Sequence, residues 1–154
     1  MSMWVLLAIV TLAYVGYNLL IKVSGNHVPA DATTTVFAAI CLQTGALVTS
    51  AIFAATLAFQ GGQTFRLSVP SYAWALAGGL CIGIAEIAYL TIFSRSDPLP
   101  ASVVIPTVVT GTVVVTLIVS VFVFGERLGT LQLAGAAMIV GGIICMFVGR
   151  AGTA

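Results

Sequence analysis

Residues 103–124, VVIPTVVTGTVVVTLIVSVFVF, decide the fold, because their composition and their length point in opposite directions. Valine, isoleucine and threonine favour strands. Yet a strand crosses a bilayer in about ten residues, and a lone strand leaves its main-chain N–H and C=O groups unpaired in lipid. A run about twice that long reads as a helix. Pro106 falls near its start and is expected to break or bend it, freeing a carbonyl one turn earlier that a neighbour or water must satisfy.

Working outward, four more apolar runs approach the roughly 20 residues that cross about 30 Å of hydrocarbon. The expected spans lie near residues 4–22, 34–59, 72–93, 101–124 and 131–149, joined by short breaks that carry almost every charge. The first run lacks a basic n-region and a clean cleavage site, so it reads as a mature helix and not as a signal peptide. The expected fold class is all-α, one polytopic domain over residues 1–154 built as a bundle of five transmembrane helices.

Composition agrees. The chain is 60% hydrophobic and 6% charged, with a mean hydropathy of +1.20, far from the roughly 25% charged content of soluble domains. A net charge of +1 with basic residues scattered one per loop gives no patch for nucleic acid or an acidic partner. Cys41, Cys81 and Cys145 lie in apolar runs without metal-ligand spacing and are expected as small buried residues. His27, between Asn26 and Pro29, reads as a solvated loop histidine. No nucleophile has a base on its helical face and no nucleotide-binding glycine motif occurs, so neither an enzyme, a cofactor nor a metal is expected.

Small residues recur every four positions at Ala46, Ser50, Ala54 and Ala58, at Ala75, Gly79 and Gly83, and at Ala137, Gly141, Cys145 and Gly149. Such stripes let helix backbones approach closely in lipid, within one chain or between copies. Loop charges hardly orient the chain: Arg66, Arg127 and the N-terminal amine share one side, Lys22, Arg95 and Arg150 the other. A chain with so little bias is able to insert both ways and pair as antiparallel, inverted repeats. The alternative is a single orientation fixed by a partner.

Apart from Lys22 at the end of the first span, only Glu86 is charged within the spans. An ionised carboxylate at bilayer depth costs several kcal/mol unless it meets water, a cation or a proton, which makes it a functional-site candidate. Counting about 1.5 Å per residue from the face that holds the Lys22 and Arg95 loops puts Tyr14, Gln43 and Thr110 at the depth of Glu86, about 12 Å in. Asn18 and Tyr89 lie on the same helical faces as Tyr14 and Glu86 and extend this polar layer toward that membrane face. Such a carboxylate is suited to exchange a proton for a cationic substrate, or to take up a proton before helices move. Its structural alternative is a neutral Glu86 bonded to Gln43 or Tyr89, or one paired with Lys22.

The last third of the chain adds a resemblance. PASVVIP at 100–106, FGERL at 124–128, LQLAG at 131–135 and VGGI at 140–143 resemble the closing part of the EamA domain of the drug/metabolite transporter superfamily. There a proline helix is followed by a Gly-Glu turn and a final helix with a double glycine. Trp4, Gly16 and Lys22 are similar to that domain's opening helix. The resemblance spans nearly the whole chain as one five-helix repeat. Relatives usually hold two repeats around a substrate cavity, so it implies the short bacterial and archaeal form, a homodimer and the inner membrane. The turn of Gly125, Glu126 and Arg127 reads as structural, through capping or an ion pair. The small multidrug resistance family, also in this superfamily, places its essential glutamate in the first helix, where this chain has Tyr14 and Asn18.

The expected function is secondary transport of a small-molecule substrate, as an exporter working by alternating access, with the lipid bilayer and a second copy as partners. The alternatives are a non-transporting subunit that docks a partner, and a component that flips a lipid-linked headgroup. The absence of basic residues at depth disfavours the latter.

Overall fold

The structure is a computed structural model that describes residues 2–62, 64–97 and 99–151, with the main chain alone at 147, 150 and 151. Five helices follow one another: α1 (Met3–His27), α2 (Ala32–Gln60), α3 (Val69–Ser94), α4 (Ala101–Phe122) and α5 (Thr130–Ala151). Four of them, α1 to α4, are long and apolar enough to cross a bilayer, while the stretch of α5 meeting the same apolar criterion, Thr130–Met146, is shorter. By length and composition the chain is an all-α, multi-pass membrane protein. The side chain of Arg150, which enters the loop-charge comparison, lies outside the described residues.

Helix ends follow local chemistry. The first helix outruns its expected end at residue 22 because polar side chains serve the last turn. Lys22 Nζ donates to Asn26 Oδ1 at 2.7 Å, and His27 Nδ1 lies 2.8 Å from the Val23 carbonyl. His27 is thus in the final turn of α1, exposed, and not in a loop. Asp31 caps α2, its carboxylate accepting from the Thr34 amide at 3.2 Å and hydroxyl at 3.1 Å and from the Thr33 hydroxyl. Those bonds, the Thr33 hydroxyl foremost, hold the Asp31 carboxyl below the usual carboxylate range. Ser68 caps α3, with Pro70 in its first turn.

Pro106 does not break α4, which runs through it. A proline removes one N–H, and lipid offers no other partner, so the remaining ladder persists. The hydroxyl of Thr107 donates to the Val103 carbonyl at 2.6 Å beside it. The helix ends at Phe122, two residues before the apolar run does. Gly125, with φ +67, reverses the chain, and the Glu126 amide returns to the Ser120 carbonyl at 3.0 Å. The turn is closed by the main chain of Glu126; Glu126 and Arg127 are both exposed. Gln132 then opens α5 by accepting from the Gly129 amide at 2.7 Å.

The helices form two compact units, the first of α1, α2 and α3, the second of α4 and α5. In the first, α3 packs against both α1 and α2. Most large apolar side chains point outward, Trp4, Phe59, Trp74 and Leu131 among them. On a water-soluble protein such a surface would aggregate, but lipid chains solvate it. The cysteines correct the sequence expectation for the same reason: Cys41, Cys81 and Cys145 are exposed on their helices. An apolar residue need not enter the protein core when the solvent is itself apolar.

Within one chain the small-residue stripes make few close approaches, the exception being Gly83 of α3, where an added Cβ would lie 3.2 Å from Gln43 Nε2. Ala46, Ser50, Ala54 and Ala58 all face outward, and among the described residues no atom of another helix lies within 4 Å of where a Cβ would sit on Gly79, Gly141 or Gly149. Among the described glycines the closest approach is at Gly25 of α1, where an added Cβ would fall 2.5 Å from Phe93 Cβ.

Candidate functional site

Two of the buried polar side chains among the described residues, Asn18 of α1 and Glu86 of α3, lie where α1 and α3 pack together. From α1 come Asn18, Ile21 and Gly25, spaced three and four apart on one face. From α3 come Glu86, Tyr89, Leu90 and Phe93, with the same spacing. The Tyr89 hydroxyl donates to Asn18 Oδ1 at 2.9 Å. Asn18 Nδ2 donates in turn to the Tyr14 carbonyl one turn back, at 2.8 Å, which fixes the amide with its oxygen toward α3. One turn on, the Phe93 ring stacks at 5.2 Å from Tyr89 and carries the Lys22 ammonium 4.8 Å from its centroid.

These pairs set the register. Asn18 meets Tyr89, and Lys22 and Gly25 meet Phe93, so α1 and α3 run parallel. One turn back along both helices, Glu86 comes level with Tyr14 and Tyr17. Tyr17, half-buried, lies within electrostatic range of Glu86 and of Tyr89 and Tyr14.

Glu86 itself is only 4% exposed, and its Oε2 is buried with no hydrogen-bond partner among the described residues. The partners that the sequence allowed are engaged elsewhere. Tyr89 gives its hydroxyl to Asn18, and Lys22 gives its ammonium to Asn26 and to Phe93. Gln43 reaches α3 a turn too early, its Nε2 3.2 Å from where a Cβ on Gly83 would sit. A buried acceptor left in this state costs about 1–3 kcal/mol. Such an oxygen is suited to receive a proton or a cation.

Of the residues the sequence pointed to, Glu86, Asn18 and Tyr89 come together in this seam. Tyr14 is level with them, but the residue is 58% exposed and its ring stands edge-on to Tyr17 at 6.3 Å. Gln43 is exposed on α2. Thr110 belongs to α4 of the second unit, and its half-buried side chain is described within that unit only. Sequence reasoning missed Tyr17, Gly25 and Phe93. The face containing Asn18, Ile21 and Gly25 would have signalled Gly25, had α1 been extended past Lys22.

No family model, curated protein or solved structure matches the chain.

Proposed function

We propose that the chain is a secondary transporter, an EamA-type exporter of small molecules or metabolites across the inner membrane, working by alternating access as a homodimer of inverted five-helix repeats. The observation that carries this reading is the buried, unpartnered Oε2 of Glu86 in a helix long and apolar enough to cross a bilayer. A carboxylate at that depth is tolerated when it holds either a proton or a cation. Those two occupants exclude one another, and mutual exclusion at one group is what couples a substrate to a proton gradient. The lack of loop-charge bias supports the inverted pair.

The test is uptake into vesicles reconstituted with purified protein, using a panel of labelled amino acids, nucleobases, sugars and organic cations at two pH values. Wild type is expected to move at least one solute in a manner that follows the pH gradient, and Glu86→Gln to lose that dependence. Full, pH-insensitive transport of that solute by Glu86→Gln defeats the proton role. If wild type moves no solute, the transport reading fails.

A further inference from the structure

The turn between α4 and α5 carries two charges that it does not need. Glu126 and Arg127 are both exposed, and the turn is closed by the main chain, through the Glu126 amide on the Ser120 carbonyl and Gly125 at positive φ. Directly after them, Leu128 lines an apolar cleft of about 620 Å3 between the two helices.

The extent of the cleft follows from the hairpin. The helices are joined by the short stretch Val123–Gly129 and pack together, so they run antiparallel. Phe122 and Leu133 line the cleft near the turn, Val114 and Ile144 toward its deep end. At 1.5 Å per residue its walls measure about 12 Å along α4 and about 17 Å along α5. One leaflet occupies about 15 Å, half of a hydrocarbon core of about 30 Å. From the level of the turn the cleft therefore reaches about to the bilayer midplane, which is the reach of one acyl chain.

Its lining consists of Val, Leu, Ile, Phe, Ala and Gly alone, so no side chain there holds water. Left empty, it would forfeit the van der Waals contacts of both walls. At its mouth stand two neighbouring side chains of opposite charge, their Cα atoms about 3.8 Å apart. A guanidinium meets phosphate oxygens with paired N–H donors, and a carboxylate accepts from an ammonium. A primary ammonium has three N–H groups to give. A trimethylated one has none.

We propose that the α4–α5 hairpin binds one phospholipid of the adjacent leaflet, with an acyl chain in the cleft, the phosphate on Arg127 and a primary ammonium headgroup on Glu126. The site lies wholly in the second unit. It depends on nothing assigned to Glu86, and it stands whether or not the chain moves a solute.

Native mass spectrometry of the full chain, released from a neutral detergent, tests the site. The probes are phosphatidylethanolamine, phosphatidylcholine and phosphatidylglycerol with identical acyl chains. Wild type is expected to bind the first about threefold or more tightly than the other two, the scale of exposed charge pairs. Glu126→Gln erases the preference over phosphatidylcholine, and Arg127→Gln weakens all three by about threefold, since each carries a phosphate. Gly141→Phe, which fills the open space beside that glycine, also weakens all three. Equal binding of the three lipids by wild type, a preference that survives both turn variants, or binding untouched by Gly141→Phe overturns the proposal. The same spectra count chains: a lipid-free dimer that Gly141→Phe turns into monomers assigns the cleft to a second copy, and overturns it too. The turn variants alter exposed side chains only, so they decide the matter if Gly141→Phe does not fold.

Discussion

Two helix pairs, α1 with α3 and α4 with α5, are held together by different means. The parallel α1–α3 seam is closed by a tyrosine-to-asparagine hydrogen bond, an ammonium over a ring and a glycine against a phenylalanine. Between α4 and α5 lies an apolar cleft of about 620 Å3, lined by aliphatic side chains such as Leu117, Ile118, Val140 and Ile144. In water both would be driven together by burial. In lipid that drive is absent, and only close packing and polar bonds distinguish one neighbour from another. The tight seam is therefore the specified one, and it is also the seam that carries the unpaired carboxylate.

The largest expected effect breaks the seam sterically. Gly25→Val places branched carbon where Phe93 already sits and should cost about 1–3 kcal/mol or more, whereas Gly141→Ala, open on its own side of the α4–α5 cleft, should change stability little. Reversible unfolding in mixed micelles measures both, and equal losses would show that the two pairs are equally tight. Next comes Glu86→Met, which removes the buried carboxylate from the α1–α3 seam and leaves the Tyr89–Asn18 bond in place. Removal of the orphaned oxygen should raise stability by about 1–3 kcal/mol while abolishing pH-dependent transport. A less stable Glu86→Met protein would mean that the carboxylate is satisfied. The smallest effect belongs to Tyr89→Phe, since interhelical hydrogen bonds in membranes average about 0.6 kcal/mol. A double-mutant cycle with Asn18→Leu should return a coupling of that size, and strict additivity would remove the bond from the list of what closes the seam.

Much of this fold was legible from hydropathy, because each apolar run long enough to cross lipid forms a helix whatever its propensity, the valine-rich α4 included. Glu86 was legible through cost alone, and counting turns placed Tyr14 level with it because α1 and α3 run parallel. Which way each side chain turns was not legible. A helix that is apolar all round has no polar face to orient it, so Tyr14, Gln43 and the three cysteines were expected inside and lie outward. Tyr17 went unnoticed for the same reason. Gly25 was hidden by the polar residues around it, which read as a loop until their side chains are seen to serve the helix that contains them.

All the buried residues of α1 lie from Asn18 onward and those of α3 from Glu86 onward. The two rods are thus clamped near one end only. Between Asn18 and Met3 runs an arm of about 22 Å, at 1.5 Å per residue. A rocking of about 10° at the clamp carries its tip sideways by about 4 Å, roughly the width of a methyl group, on that same length. The fulcrum of such a lever lies within a turn of Glu86, where a small local displacement is amplified most at the far tip.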